Sequence, residues 1–308
     1  MRQDFAYEKT SRGICIRRCY GNSAYVKIPA MIEGEPVTEL AAYVFAAQQE
    51  EEPENLSGLP CVSGMDFEGV SLPPGIQRIG RYAFYNCYNF HKMECSSSIA
   101  YMGAGIFTGC ENLKEIILYE ELTKPSCLRE ILSDLKQAVF VKVQREDGKQ
   151  YQLEYPEFFE EAVENTPARI IETHTHGMGI QYRNTFRDTR VVFLEYDKLF
   201  ETGKYNLELD SAVRMAAARL EAPLELSDAS EKAYREFLEE HAAEAGEIFL
   251  EDIRRLLWFA ETFVQEEAVL KELIALAEKR KKLEALSVLM DVKHRRFAGG
   301  RKKFSLSL

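Results

Sequence analysis

Ile79-Gly80-x-x-Ala83-Phe84-x-x-Cys87-x-x-Phe90-x-x-Met93 is followed by Met102-Gly103-x-x-Ile106-Phe107-x-x-Cys110-x-x-Leu113-x-x-Ile116. One pattern is written twice between Ile79 and Leu118, and matched residues stand 23 positions apart (84 to 107, 87 to 110, 90 to 113). Self-similarity at such a period is the signature of a stacked repeat. A unit this small cannot bury its own apolar edge, so it must rest on a neighbour. Ile79, Phe84, Cys87, Phe90 and Met93 are the inward set, and Gly80 suits a corner where a side chain would clash. Arg81, Tyr82, Tyr85, Asn86, Tyr88 and Asn89 are left to point outward.

Working outward, Val26-Lys27-Ile28-Pro29-Ala30-Met31-Ile32-Glu33-Gly34-Glu35-Pro36-Val37-Thr38-Glu39-Leu40 precedes Ala41-x-x-Val44-Phe45. Leu72-Pro73-Pro74-Gly75-Ile76 then leads into Ile79. With these flanks, residues 20–118 resemble the BspA-type leucine-rich repeat family. The resemblance implies a right-handed solenoid with a short strand per turn, and a family often exposed at the cell surface and linked to adhesion. The first unit departs from the pattern: Ala41 stands at the glycine position and Ala46-Ala47-Gln48 where a cysteine should follow. Residues 48–69 insert an acidic segment, Gln48-Gln49-Glu50-Glu51-Glu52-Pro53-Glu54, which reads as a solvated loop.

Before the repeats, Ile14-Cys15-Ile16 alternates as a strand that caps the open end of the array. After Leu118, Cys127 to Leu132 reads as a short helix and Val139 to Val143 as a strand. Asp147-Gly148 makes a hairpin turn and Tyr151, Leu153 and Tyr155 return. Pro156 fits the first turn of a helix over Glu157 to Asn165. From Val191 the periodicity is helical, with helices expected after Phe193, over Ala212 to Leu220, Glu231 to Ala245 (ended by Gly246), Ile248 to Val264, Ala268 to Lys282 and Leu283 to Phe297. This tail resembles ankyrin-like or other helical-hairpin arrays. The fold class is therefore α+β: a short solenoid over 1–125, then a β-hairpin and a mostly α-helical domain over 126–308.

A formal net charge of −11 repels phosphate backbones and anionic lipid, which disfavours nucleic acid as a partner. Three basic runs near the C-terminus (Lys279–Lys282, Lys293–Arg296 and Arg301–Lys303) carry the competing nucleic-acid reading. No stretch nears the roughly 18 apolar residues of a membrane span, and the start lacks the pattern of a secretory signal. The expected location is the cytoplasm of a bacterial cell. The seven cysteines form no metal-ligand spacing, and Cys87 with Cys110 share one repeat position as small buried residues.

Tyr82, Tyr85, Tyr88 and Tyr101 form a candidate aromatic strip, since tyrosine offers large contact area at low entropic cost. That strip is either a binding surface for a protein or peptide or a face buried against a second domain. His174-Thr175-His176 supplies the one metal-like spacing, because residues i and i+2 of a strand share a face. It supports a metal-dependent hydrolase as the alternative to a non-enzymatic interaction protein. No second ligand motif accompanies the pair, and an ordinary polar loop explains it as well. No cofactor is implied.

Overall fold

The computed structural model describes residues 2–49, 52–55, 57–165 and 170–297. It divides into two compact units: residues 1–207 with 221–226, and residues 208–220 with 227–308. The first unit begins with β1 (Gln3–Thr10), β2 (Gly13–Gly21), β3 (Tyr25–Lys27), β4 (Met31–Ile32) and β5 (Glu35–Leu40). It continues through β6 (Gly69–Ser71), β7 (Arg78–Ile79), β8 (Lys92–Ser96), β9 (Tyr101–Met102) and β10 (Glu115–Glu120). Beyond these come α1 (Leu128–Asp134), β11 (Val139–Arg145), β12 (Gln150–Tyr155), β13 (Phe159–Asn165) and β14 (Ile170–His176). It closes with α2 (Gly179–Arg183), β15 (Phe186–Arg187), β16 (Arg190–Val191) and α3 (Phe193–Gly203).

Strands β1–β12 form two six-stranded sheets that share the coil between them, and β13–β14 and β15–β16 are separate two-stranded pairs. One runs β1-β2-β5-β7-β9, with β4 beside β5; the other runs β12-β11-β10-β8-β6-β3. The 23-residue sequence period is also the parallel register: Arg78 pairs with Tyr101, and Gly69, Lys92 and Glu115 line up across three strands. Glycine fixes the corner after β7 and after β9. A Cβ on Gly80 would lie 2.3 Å from the Ala42 nitrogen, and one on Gly103 would lie 2.4 Å from the Arg81 nitrogen. Both neighbours are backbone and cannot give way.

Inside the coil the repeated residues stack. The Phe45 and Phe84 rings lie 5.4 Å apart at 3°, and Phe84 and Phe107 lie 5.6 Å apart at 4°. All three are buried, even though Phe45 belongs to the degenerate first unit. The cysteines do more than fill space. Cys87 donates its S–H to the Phe45 carbonyl at 3.2 Å, and Cys110 donates to the Phe84 carbonyl at 3.0 Å. Each thiol thus adds a second donor to a carbonyl that already accepts a backbone N–H, from Gly64 at Phe45 and from Cys87 at Phe84, and ties one turn to the preceding one. On the outer side Asn89 donates to the Met65 carbonyl and Asn112 to the Tyr88 carbonyl, at 2.7 and 2.8 Å.

At the front, β1 and β2 make the antiparallel capping strands that the Ile14-Cys15-Ile16 alternation implied. The acidic insertion is tied down where it is described. Arg18, only 1% exposed, pairs with Glu52 and donates to the Val44 and Ala46 carbonyls. Glu50 and Glu51 lie outside the described residues.

At the far end, β11 continues the parallel sheet and β12 returns antiparallel, as the Asp147-Gly148 turn required. Arg183 closes this end. Its buried guanidinium donates to the carbonyls of Leu132, Leu135, Gly179 and Gln137, and burial lowers its pKa to about 10. The helix expected over 157–165 is instead strand β13, antiparallel to β14. Phe159, Glu161 and Val163 alternate opposite His176, His174 and Glu172, a period of two that leaves no apolar stripe for a helix.

The second unit is helical: α4 (Leu209–Glu221), α5 (Asp228–Glu240), α6 (Ala242–Ile248), α7 (Ile253–Thr262), α8 (Glu267–Lys279) and α9 (Leu283–Phe297). The starts of α5 and α7 are set by side-chain caps, since Ser227 accepts from the Ser230 N–H and Asp252 from the Arg255 N–H. The Asp252 cap places the start of α7 five residues after the expected Ile248. Gly246 does not end a helix; it lies within α6, where a Cβ would sit 2.4 Å from a Leu273 methyl of α8. The break falls at His241, whose ring nitrogen lies 3.0 Å from the Phe237 carbonyl. No described helix is long and apolar enough to cross a membrane.

Candidate functional site

The stacking that builds the core also determines which side chains meet outside. Tyr43 and Tyr82 occupy equivalent corners of successive turns, and both hold positive φ, 58° and 52°. The third turn has Gly105 there, at φ 61°. Glycine adopts this conformation freely, whereas an L-residue with a side chain pays on the order of 1–2 kcal/mol. Successive coil turns bring the two tyrosines into register, and their rings stack 5.3 Å apart at 23°. Gly105 leaves room for the pair, because a Cβ there would stand 2.5 Å from the Tyr82 ring.

Tyr85 completes the cluster, edge-on to Tyr82 at 5.6 Å and to Tyr43 at 6.4 Å. Beside it lies a depression of about 450 Å³ lined by Tyr43, Ala47, Gln48, Gln49, Tyr85 and Asn86. The wall is braced, since the Gln49 amide donates to the Arg17 and Tyr43 carbonyls at 2.9 Å each. The Arg81 guanidinium carbon sits 6.0 Å from the Tyr43 ring centroid. These groups offer aromatic faces and amide and hydroxyl hydrogen bonds, which is the chemistry of polypeptide recognition.

Of the four tyrosines singled out in the sequence, the ring contacts join Tyr82 and Tyr85. Tyr88 and Tyr101 are each 45% exposed, and Tyr101 carries the Arg78 guanidinium 4.0 Å over its own ring. Tyr43 escaped the sequence reading because its unit lacks the glycine and cysteine of the motif. The available signal was its place two residues before Phe45, which matches Tyr82 before Phe84.

His174 and His176 lie on β14 and not in a loop. The His176 ring stacks on Phe159 at 4.6 Å, with Nε2 3.3 Å from a Glu161 carboxylate oxygen; His174 Nε2 lies 3.5 Å from Glu172. Among the described residues no group of three histidine, cysteine or acidic side chains is placed to hold a metal ion. The basic runs are engaged locally. Arg280 pairs with Glu247, Lys282 with Glu251, and Arg295 with Glu261, while Arg296 donates to the Ala260 and Val264 carbonyls. Residues 301–303 lie outside the described residues.

Residues 61–140 match the BspA type leucine rich repeat region, in six copies. The repeat family read from the sequence is the one found, and the match runs past Leu118 through α1 into β11. Among solved structures the chain is similar to a leucine rich repeat protein of T. pallidum, at 24% identity over 38% of this chain and 51% of that one, with a TM-score of 0.27. A leucine rich cell surface protein of Faecalibacterium prausnitzii A2-165 matches at 16% identity over 47% of this chain and 41% of that one, also at 0.27. The chain therefore spans about half the length of either structure or less. No curated protein matches.

Proposed function

We propose that the protein is a non-enzymatic interaction module that binds a protein or peptide through the outer face of its leucine-rich repeats, at the Tyr43–Tyr82–Tyr85 cluster. The carrying observation is that two bulky tyrosines are kept at a positive-φ corner where the next turn uses glycine. Conformational strain retained at the surface, on residues that fill no core, is the kind found at ligand contacts. The adjoining depression and the braced Gln49 wall support the same reading. Tyr88 and Tyr101, exposed on the same repeats, extend the contact area on this proposal.

The test compares wild-type protein with a Tyr82→Ser, Tyr85→Ser double variant as bait in native cell lysate, with thermal melts run on both. Partners retained by wild type should be lost from the variant at an unchanged melting temperature. Equal recovery on both baits would rule the cluster out.

A further inference from the structure

The 23-residue register assigns the next strand after β9 to Lys124–Pro125, yet β9 is the last strand of its sheet. In this parallel register Tyr101 and Gly103 give their N–H groups to β7, so an N–H at position 125 would point away from β9, and the missing donor of Pro125 bars only a strand beyond it. The backbone here is held away from β9 by other bonds. The Cys127 N–H donates to the Ser97 carbonyl at 2.8 Å, and Arg190 takes the carbonyls of Leu122 and Lys124. The chain then enters α1.

The vacated lane is an open cleft of about 520 Å³. One wall is β9 and its flanks, including Ala100, Met102 and Ile106; the other is Pro125, Glu130 and Asp134. That volume lies within the range of about 300–1,000 Å³ usual for ligand sites. Burial raises the Asp134 pKa, while the nearby backbone N–H groups of Phe107 and Ile106 act to lower it. The cleft is acidic on balance, because Lys124 is already paired with Glu121 at 2.7 Å while Glu130 and Asp134 line the opposite wall.

We propose that this cleft binds an extended basic peptide segment, which adds to β9 as the next strand of the sheet. The unpaired β9 edge supplies main-chain hydrogen bonds, the mode by which extended peptides join exposed sheet edges. The half-buried Met102 side chain receives a small apolar residue, and Glu130 and Asp134 receive lysine or arginine at alternate positions. The site is separate from the tyrosine cluster and does not depend on it.

The test uses a fluorescein-labelled pentapeptide of alternating valine and lysine, titrated with the full chain and read by fluorescence anisotropy. Saturable binding is expected, weakening as salt rises and at least about tenfold weaker for Glu130→Gln, in line with the loss of a charge-assisted contact. A peptide N-methylated on alternate amides should lose binding, as should Ala100→Trp and Ser133→Trp, which fill the cleft from opposite walls at exposed positions. Tyr82→Ser should bind like wild type. The inference is overturned if the N-methylated peptide binds equally, if both tryptophan variants retain binding at wild-type melting temperature, or if no saturation appears by about 1 mM, where binding energy falls to about 4 kcal/mol.

Discussion

Removing one rung of the phenylalanine ladder tests whether the repeats stabilise one another as nearest neighbours. Phe84 is fully buried between Phe45 at 5.4 Å and Phe107 at 5.6 Å, and it also meets Phe90 at 4.9 Å. Deleting such a ring costs about 3–5 kcal/mol, out of a total stability of about 5–15. In urea that moves the midpoint by on the order of 2 M at the usual slopes. Phe107 is 3% exposed but stacks on only one ladder neighbour. Phe107→Ala should therefore cost less than Phe84→Ala by about one aromatic pair, 0.5–1.5 kcal/mol.

Double-mutant cycles with the milder leucine substitutions sharpen the comparison. Phe84 and Phe107 should couple by about 0.5–1.5 kcal/mol, while Phe45 and Phe107, separated by the Phe84 ring, should be additive within about 0.5. The readout is urea unfolding followed by circular dichroism, because the single tryptophan, Trp258, belongs to the helical unit. Coupling between Phe45 and Phe107 as large as between adjacent rungs would refute nearest-neighbour stacking. So would a cost for Phe84→Ala below about 1 kcal/mol, well under any fully buried ring deletion.

Two other outcomes follow from the same packing. Burial pushes the thiols of Cys15, Cys19 and Cys87 up to about 12 and Cys110 higher still, so the native protein keeps them protonated across the neutral range. Since the thiolate is the reactive form, a disulfide reagent at pH 8 should modify half-buried Cys61 first and reach all seven cysteines only on unfolding; rapid native modification of Cys87 or Cys110 would contradict the packing. Gly80→Ala should destabilise by more than about 2 kcal/mol because its Cβ meets backbone, whereas Gly148→Ala, with open space around it and only its φ of +80° to oppose, should cost about 1 kcal/mol. Thermal melts on the two variants settle the order, and a smaller effect at Gly80 would remove the corner argument.

The repeat grammar was legible because it is local and periodic. Phe84, Cys87 and Phe90 are matched 23 residues on by Phe107, Cys110 and Leu113, so their inward direction, the Gly80 corner and the antiparallel return at Asp147-Gly148 needed no tertiary information. The hairpin at 159–176 was misread where Pro156 suggested a helix start. Its strand character depends on pairing between β13 and β14, a long-range property that a local proline signal cannot carry. In the same way Gly246 looked like a helix stop, and only the presence of Leu273 against it shows why the side chain is missing.

The candidate site divides along the same line. Sequence alone determined the period, the family of the repeat and the outward direction of Tyr82 and Tyr85. Tertiary structure decided that Tyr43 joins them, that Tyr101 stands apart with Arg78 over one face of its ring, that the cysteines donate hydrogen bonds to the preceding turn, and that the sheet stops at β9 with a lane open beside it. Periodicity specifies which face of the chain a residue occupies. Which residues touch across turns depends on how the coil stacks and where its register is broken, and an insertion at 48–69 or the bonds that draw residues 122–127 away from β9 shift those contacts without leaving a mark on the residues that make them.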